Sequence, residues 1–297
     1  MHALPTLRHA NAAPARPVPA AAWLAAAPLF AWLALFVAAP ALIILAYSFA
    51  QRGTLGGVVW EFTIANYAAA LDPTYLRVLL RSVVMAGATA MLCLIAGYPV
   101  ALYMGRAPQR WRGTLLMLVM VPFWTSFLIR TYAWLTILKS EGALNGVLLA
   151  IGIIDAPVAM LYTPGAVLLG LVYTFLPFMI LPLYTSIEAL EEPMLEAASD
   201  LGAGPWRTLR KVILPLTMPG IVAGSLFVFV PALGLFAVND ILGGGTVDMI
   251  GNVIENQFKG GARNWPFGAA LSVLMMAVFG VAMAAASRSS RLRGLSP

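Results

Sequence analysis

Apolar residues in this chain run almost uninterrupted over stretches long enough to cross a bilayer core, which takes about 20 residues per helical span. Six stretches meet or approach that length: 23–47, 79–103, 115–136, 166–183, 219–238 and 267–287. Strands of a membrane barrel would instead alternate polar and apolar residues over about ten positions, and nothing here does. The pattern therefore predicts an all-α polytopic membrane protein with six transmembrane helices. A shorter apolar run, 143–154, is below spanning length and is expected in an extramembrane hairpin.

Composition strengthens this reading. Of 297 residues, 10% are charged and 61% hydrophobic, with mean hydropathy +0.87, whereas soluble domains carry roughly 25% charge. Once the six runs are removed, no separate soluble domain remains. Arg8 and Arg16 precede the first run, as in a secretory leader, but the run is far longer than a leader's h-region of about 7–15 residues, so a retained first helix is expected. The expected organisation is an N-terminal tail over 1–22, a six-helix membrane domain over 23–287 and a C-terminal tail over 288–297.

Orientation follows from the basic residues. With the N-terminus in the cytoplasm, the inner segments hold Arg8, Arg16, Arg106, Arg110, Arg112, Arg207, Arg210, Lys211, Arg288, Arg291 and Arg293, eleven of the eighteen Lys and Arg. That bias places both termini inside. The net charge of +6 thus reflects topology. The basic residues are scattered among loops and do not interleave with aromatics, so no nucleic acid is expected as a partner.

Several chemistries have no residues to carry them. There is no GxxxxGK[ST] phosphate loop, no HExxH and no GxSxG; the histidines are His2 and His9, in the N-terminal tail. The lone cysteine, Cys93, falls inside the second run and reads as a small core residue, with no metal cluster or disulfide around it. No run carries a central Asp or Glu, which transporters driven by ion gradients usually need. The chain therefore has a pathway without a visible engine.

The segment 188–211 concentrates eight of the thirty charges, five acids followed by three bases. Glu191 and Glu192 suit a helix N-terminus and Pro193 a first-turn position. Met194, Ala197, Ala198 and Leu201 then form a small apolar face opposite Glu196, Ser199 and Asp200. Gly202 falls where a left-handed C-cap wants glycine, and Gly204-Pro205 restarts the chain at a new angle. A second short helix carries Trp206, Arg207, Arg210 and Lys211 before Leu214-Pro215 leads back to the membrane. On the residues alone this is either a capped, solvated loop or a docking element.

The stretch EAASDLGAGPWRTLRKVILP, 196–215, resembles the EAA loop of permease subunits of binding-protein-dependent ABC importers. That motif reads EAA, three residues, Gly, nine residues, Ile, one residue, Leu-Pro. Glu196, Ala197, Ala198, Gly202, Leu214 and Pro215 match, and Val212 stands at the Ile position. The resemblance implies that 188–215 is a coupling loop, with Glu196 to Gly202, Asp200 included, against a cytoplasmic ATPase. It also implies that ATP and Mg are held by that partner and that no cofactor belongs to this chain, which is then a transporter subunit and not an enzyme.

Blocks at 62–82, 97–104, 121–138 and 251–272 resemble, in order, the spermidine/putrescine permease subfamily, specifically the first of its two paired permeases. This resemblance implies the type I (MetI-like) permease fold in a bacterial inner membrane. The implied partners are a second, similar permease, two ATPase subunits, an extracytoplasmic solute-binding protein and membrane lipid. A polyamine pathway suits aromatic faces, through cation–π contacts of about 0.5–2 kcal/mol, and carboxylates.

Trp124, Tyr132 and Trp134 in the third run, Tyr173 in the fourth, and Asp240 and Glu255 beyond the fifth are the pathway candidates. The aromatics read equally as an interfacial belt or as packing. Arg130 is repulsive to a cation unless paired. It either ties the third run to a neighbour or snorkels, or it forms a gate latch with an acid such as Asp240. An importer of another solute (an amino acid, an oxyanion or an iron complex), a secondary transporter and a membrane enzyme are the alternatives.

Overall fold

The computed structural model describes residues 20–54, 56–259 and 263–293. Residues 1–19, with Arg8, Arg16, His2 and His9, and residues 294–297 lie outside the described residues, and with them most of the expected N-terminal tail and the last four residues of the C-terminal one. The chain divides into a first unit, 1–46, and a second, 47–297.

The first unit is helical from Ala20. Helix α1 (Ala20–Leu33) passes through a π-turn, Ala34–Ala38, into α2 (Ala39–Ser48), with the Ala39 N–H reaching back to the Ala34 carbonyl. Pro40 has no N–H to give to Phe36, and a widened turn absorbs the missing rung. Leu29, Trp32, Leu35 and Val37 are all more than half exposed, as a span facing lipid or a partner requires.

In the second unit a two-rung antiparallel ribbon, β1 (Gln51–Arg52) and β2 (Val58–Val59), precedes α3 (Ala65–Ala70) and the long α4 (Pro73–Arg106). The Asp72 carboxylate accepts from the Thr74 N–H at 2.8 Å and caps α4, with Pro73 in its first turn. Then come α5 (Gln109–Met120), a 3₁₀ turn (Val121–Trp124), α6 (Phe127–Leu138) and α7 (Ala143–Ala150). Helix α8 (Pro164–Glu188) leads to α9 (Glu192–Asp200), α10 (Pro205–Thr208), a second π-turn (Leu209–Ile213) and α11 (Leu214–Leu216). The chain ends with α12 (Met218–Gly234), α13 (Phe236–Gly243), α14 (Ile250–Lys259) and α15 (Trp265–Arg293). Both π-turns are followed two residues later by proline, Pro40 and Pro215, so the same missing donor accounts for both.

The core is the mutual crossing of α4, α8 and α12 around Cys93, Leu171, Met179, Leu183 and Val228, all fully buried or nearly so. Small residues let these backbones approach, as helix association in lipid demands. A Cβ on Gly220 would lie 2.5 Å from the Pro182 carbonyl oxygen, and one on Gly224 would lie 2.8 Å from Met179 Sδ. At the end of α4 that carries Arg106, a Cβ on Gly105 would lie 2.6 Å from Ile187 Cγ2.

Four of the described helices are long and apolar enough to cross a membrane, and six spans result if each of two bent pairs counts as one. Those pairs correct the sequence reading. The expected span 115–136 is broken, with an 82° bend between 109–124 and 127–150. Pro122 removes a donor, and Thr125 turns extended (ψ 148°) while its hydroxyl donates to the Pro122 carbonyl at 2.8 Å. The fifth run is also divided: α12 stops at Gly234, Leu235 is extended, and residues 236–238 belong to α13. A 67° bend separates 205–216 from α12. The last helix continues past residue 287, the expected end of the sixth run, to Arg293.

Candidate coupling loop and solute pathway

Local chemistry shapes the loop between α8 and α12. Glu192 and Pro193 open α9, as the acidic first turn and proline dictate. Its far end closes in a Schellman motif: the Ala203 N–H donates to the Ala198 carbonyl at 3.0 Å and the Gly202 N–H to the Ser199 carbonyl at 2.8 Å. Gly202 has φ +73°, the left-handed conformation this motif needs. Gly204 and Pro205 then start α10.

Within the expected apolar face of α9, Ala198 is buried, but Met194 is 48% and Leu201 87% exposed, and Ala197, Glu196 and Asp200 are exposed. Met194 on α9 and Leu201 at its C-cap thus stand in the open, beside small residues and a glycine whose added Cβ would meet nothing within 4 Å. Leu214 is half-buried and Pro215 exposed where the loop rejoins the membrane helices.

The pathway candidates fall into separate groups. Trp134 meets Tyr173 edge-on, centroids 5.6 Å apart. The Arg130 guanidinium lies 4.7 Å from the Phe123 centroid and 5.8 Å from that of Tyr173, while Phe123 packs edge-on against Phe178 at 5.4 Å. Arg130, Trp134 and Tyr173 therefore form one cluster where the broken third run meets α8. Phe123 and Phe178 complete it, and nothing in their local sequence marks them. Trp124 and Tyr132, 74% and 56% exposed, stay outside it. Arg130 thus touches Tyr173 on α8, and its Nε and Nη1 are buried without a hydrogen-bond partner among the described residues.

Asp240 and Glu255 belong to a polar group joining α13 and α14. The Asn239 amide donates to the Val247 carbonyl and to Asn252 Oδ1, each at 2.6 Å, and the Asn252 amide donates to the Phe236 carbonyl and to Asp240. Glu255 pairs with Lys259 at 2.6 Å, and the Lys259 ammonium sits 5.2 Å from the Phe236 centroid. Although Asp240 keeps solvent contact, desolvation by the packed helix ends raises its pKa; the Asn252 hydrogen bond opposes this and the Glu255 carboxylate adds to it. Asn239 and Asn252, polar breaks in FAVNDIL and IGNVIEN, were the available sequence signal for this network.

Residues 97–290 match the family described as binding-protein-dependent transport system inner membrane component. The spermidine/putrescine transport system permease protein PotB of Escherichia coli (strain K12) is 49% identical over 261 residues, 88% of this chain and 94% of that one. PotB of Haemophilus influenzae is 47% identical over 245 residues, 82% and 85% of the two chains. A crystal structure of a bacterial alginate ABC transporter, in complex with a periplasmic protein bound to an alginate pentasaccharide, superposes with TM-score 0.73 over 91% of this chain and 94% of that one. At 19% identity this likeness is one of fold. The chain belongs to the binding-protein-dependent transport system inner membrane components and has the fold of an ABC importer permease.

Proposed function

We propose that this permease moves polyamines such as spermidine and putrescine inward, as one half of a pair with a second permease, driven by two cytoplasmic ATPase subunits and fed by an extracytoplasmic binding protein. The observation that carries the solute is 49% identity to PotB across 88% of the chain. Both termini lie in the cytoplasm in this reading, because Arg106, Arg110, Arg112, Arg207, Arg210 and Lys211 then share the inner side. ATP and Mg are bound by the ATPases.

The exposed Met194 and Leu201 on α9 support docking into an ATPase groove, with Glu196, Ala197, Ala198, Asp200 and Gly202 at the contact and Leu214-Pro215 passing the motion to α12. The two unpartnered nitrogens of Arg130, Nε and Nη1, support pairing with a second permease, since buried donors without acceptors are costly. In the alternating-access cycle, ATP binding closes the ATPases, α9 moves with them, and the cavity opens outward. The aromatic faces of Trp134 and Tyr173, with Trp124 and Tyr132 on the exposed side, offer a flexible cation successive weak contacts, and Asp240 and Glu255 attract it.

Calorimetric titration of the cognate binding protein with spermidine, putrescine, amino acids and oxyanions tests the solute. Selective polyamine binding is expected; affinity for another class with none for polyamines rejects it. The acid pair has its own signature. Because the Asp240 pKa is raised, its attracting charge is lost at a higher pH than for an ordinary carboxylate near about 4. Uptake by the assembled transporter should fall as pH drops through that raised value, and Asp240→Asn should flatten this limb. An unchanged pH profile in the variant removes Asp240 from the pathway.

A further inference from the structure

One guanidinium gathers three helix ends beside the coupling loop. Arg112, in the first turns of α5, donates from Nη1 to Glu188 Oε1 at 3.0 Å and from Nε to the Ala107 carbonyl at 2.9 Å. Ala107 is the C-cap of α4, and Glu188 is the last residue of α8, three positions before Glu191, the N-cap of α9. The buried Tyr184 lies one turn back on α8. Beneath the pair, Gly105 lets Ile187 seat directly on α4.

An ion pair as solvent-exposed as this one, with side chains 29% and 40% accessible, adds little to stability. Its position carries more information. The arm 109–124, whose far end bears Phe123 in the Arg130 cluster, is held to α8 at one end by Arg112–Glu188 and at the other by Phe123 against Phe178. We infer that Arg112 and Glu188 are positioning residues that pass the displacement of the coupling helix to the broken third span, and so to the aromatic cluster. Without the pair, α9 and the end of α8 move while the arm lags, and hydrolysis runs with less solute carried.

The inference rests on the coupling-loop reading, and the two fail differently. The fully assembled transporter, reconstituted with its binding protein, is assayed for polyamine uptake and ATP hydrolysis together. For Arg112→Met and for Glu188→Gln, uptake per ATP is expected to fall about tenfold, a coupling loss within the usual range for linked sites, with ATPase co-purification retained. The charge-swapped double variant, Arg112→Glu with Glu188→Arg, is expected to restore most of the ratio. An unchanged ratio in the single variants overturns the inference, as does a swap that assembles yet stays uncoupled. If the single variants do not assemble, the swap decides: wild-type coupling supports the inference, and failure to assemble assigns the pair to folding and overturns it. Loss of ATPase co-purification in the single variants also overturns it, because the pair then acts in docking. Failure of the coupling-loop reading shows instead at Gly202.

Discussion

Gly220→Val is expected to prevent accumulation of folded permease, because the valine Cβ enters space already held by backbone. That atom would lie 2.5 Å from the Pro182 carbonyl oxygen on α8, which is backbone and cannot turn aside, and 2.7 Å from Ser186 Cβ. Helix α12 must therefore back away from α8, which opens the seam that also seats Gly224 against Met179, a fully buried residue. In lipid this seam holds by close packing, so the loss is not made up by burying the same surface elsewhere. Overpacking of this kind costs about 3 kcal/mol, and thermal unfolding of the detergent-solubilised protein should show it as a large drop in Tm or as no folded peak. Gly280→Ala on α15, where a Cβ meets nothing within 4 Å, should be silent. A Gly220→Val protein as stable as the parent contradicts the packing described for the core.

The second large effect belongs to Gly202, and it should spare the fold. A Cβ there meets nothing in this chain, but φ is +73°, so a tryptophan adds both a bulky group and a left-handed-backbone penalty of about 1–2 kcal/mol. Gly202→Trp is expected to insert and remain stable while ATPase co-purification falls by about tenfold, the loss of about 1.4 kcal/mol of binding. Gly202→Asn separates the causes, because asparagine tolerates this conformation and mainly adds a side chain. If Asn keeps docking and Trp abolishes it, bulk at the contact is responsible. Normal co-purification and transport in Gly202→Trp remove α9 from the ATPase contact.

The loop was legible before the fold because its signals are local. Proline in a first turn, glycine at C′ and Gly-Pro at a restart each act within a few residues, and the Schellman bonds at Gly202 and Ala203 obey them. The long apolar runs were legible for a different reason, since composition over about 20 residues decides membrane insertion. The same averaging hid the break in the third run. VPFWTSF is apolar enough to pass as a continuous span, and only Pro122 signalled that the ladder stops there.

Residues far apart in sequence left no local trace. Arg112 and Glu188 are 76 positions apart, and each alone reads as an ordinary interfacial charge. Arg130 was visible as a charge in an apolar run, but its resting place on Phe123 and Tyr173 depends on the bend at Thr125. The apolar face expected on α9 divides in the structure. Ala198 packs inward, while Met194 and Leu201 remain for another surface to cover.

A polyamine path worked by ATPases through α9 is tested most simply by spermidine uptake into vesicles holding the complete transporter, with the binding protein outside and ATP or a non-hydrolysable analogue within. ATP-dependent accumulation is expected, unsupported by the analogue and abolished by Gly202→Trp at unchanged insertion. Accumulation without hydrolysis, or undiminished in Gly202→Trp, would contradict such a path.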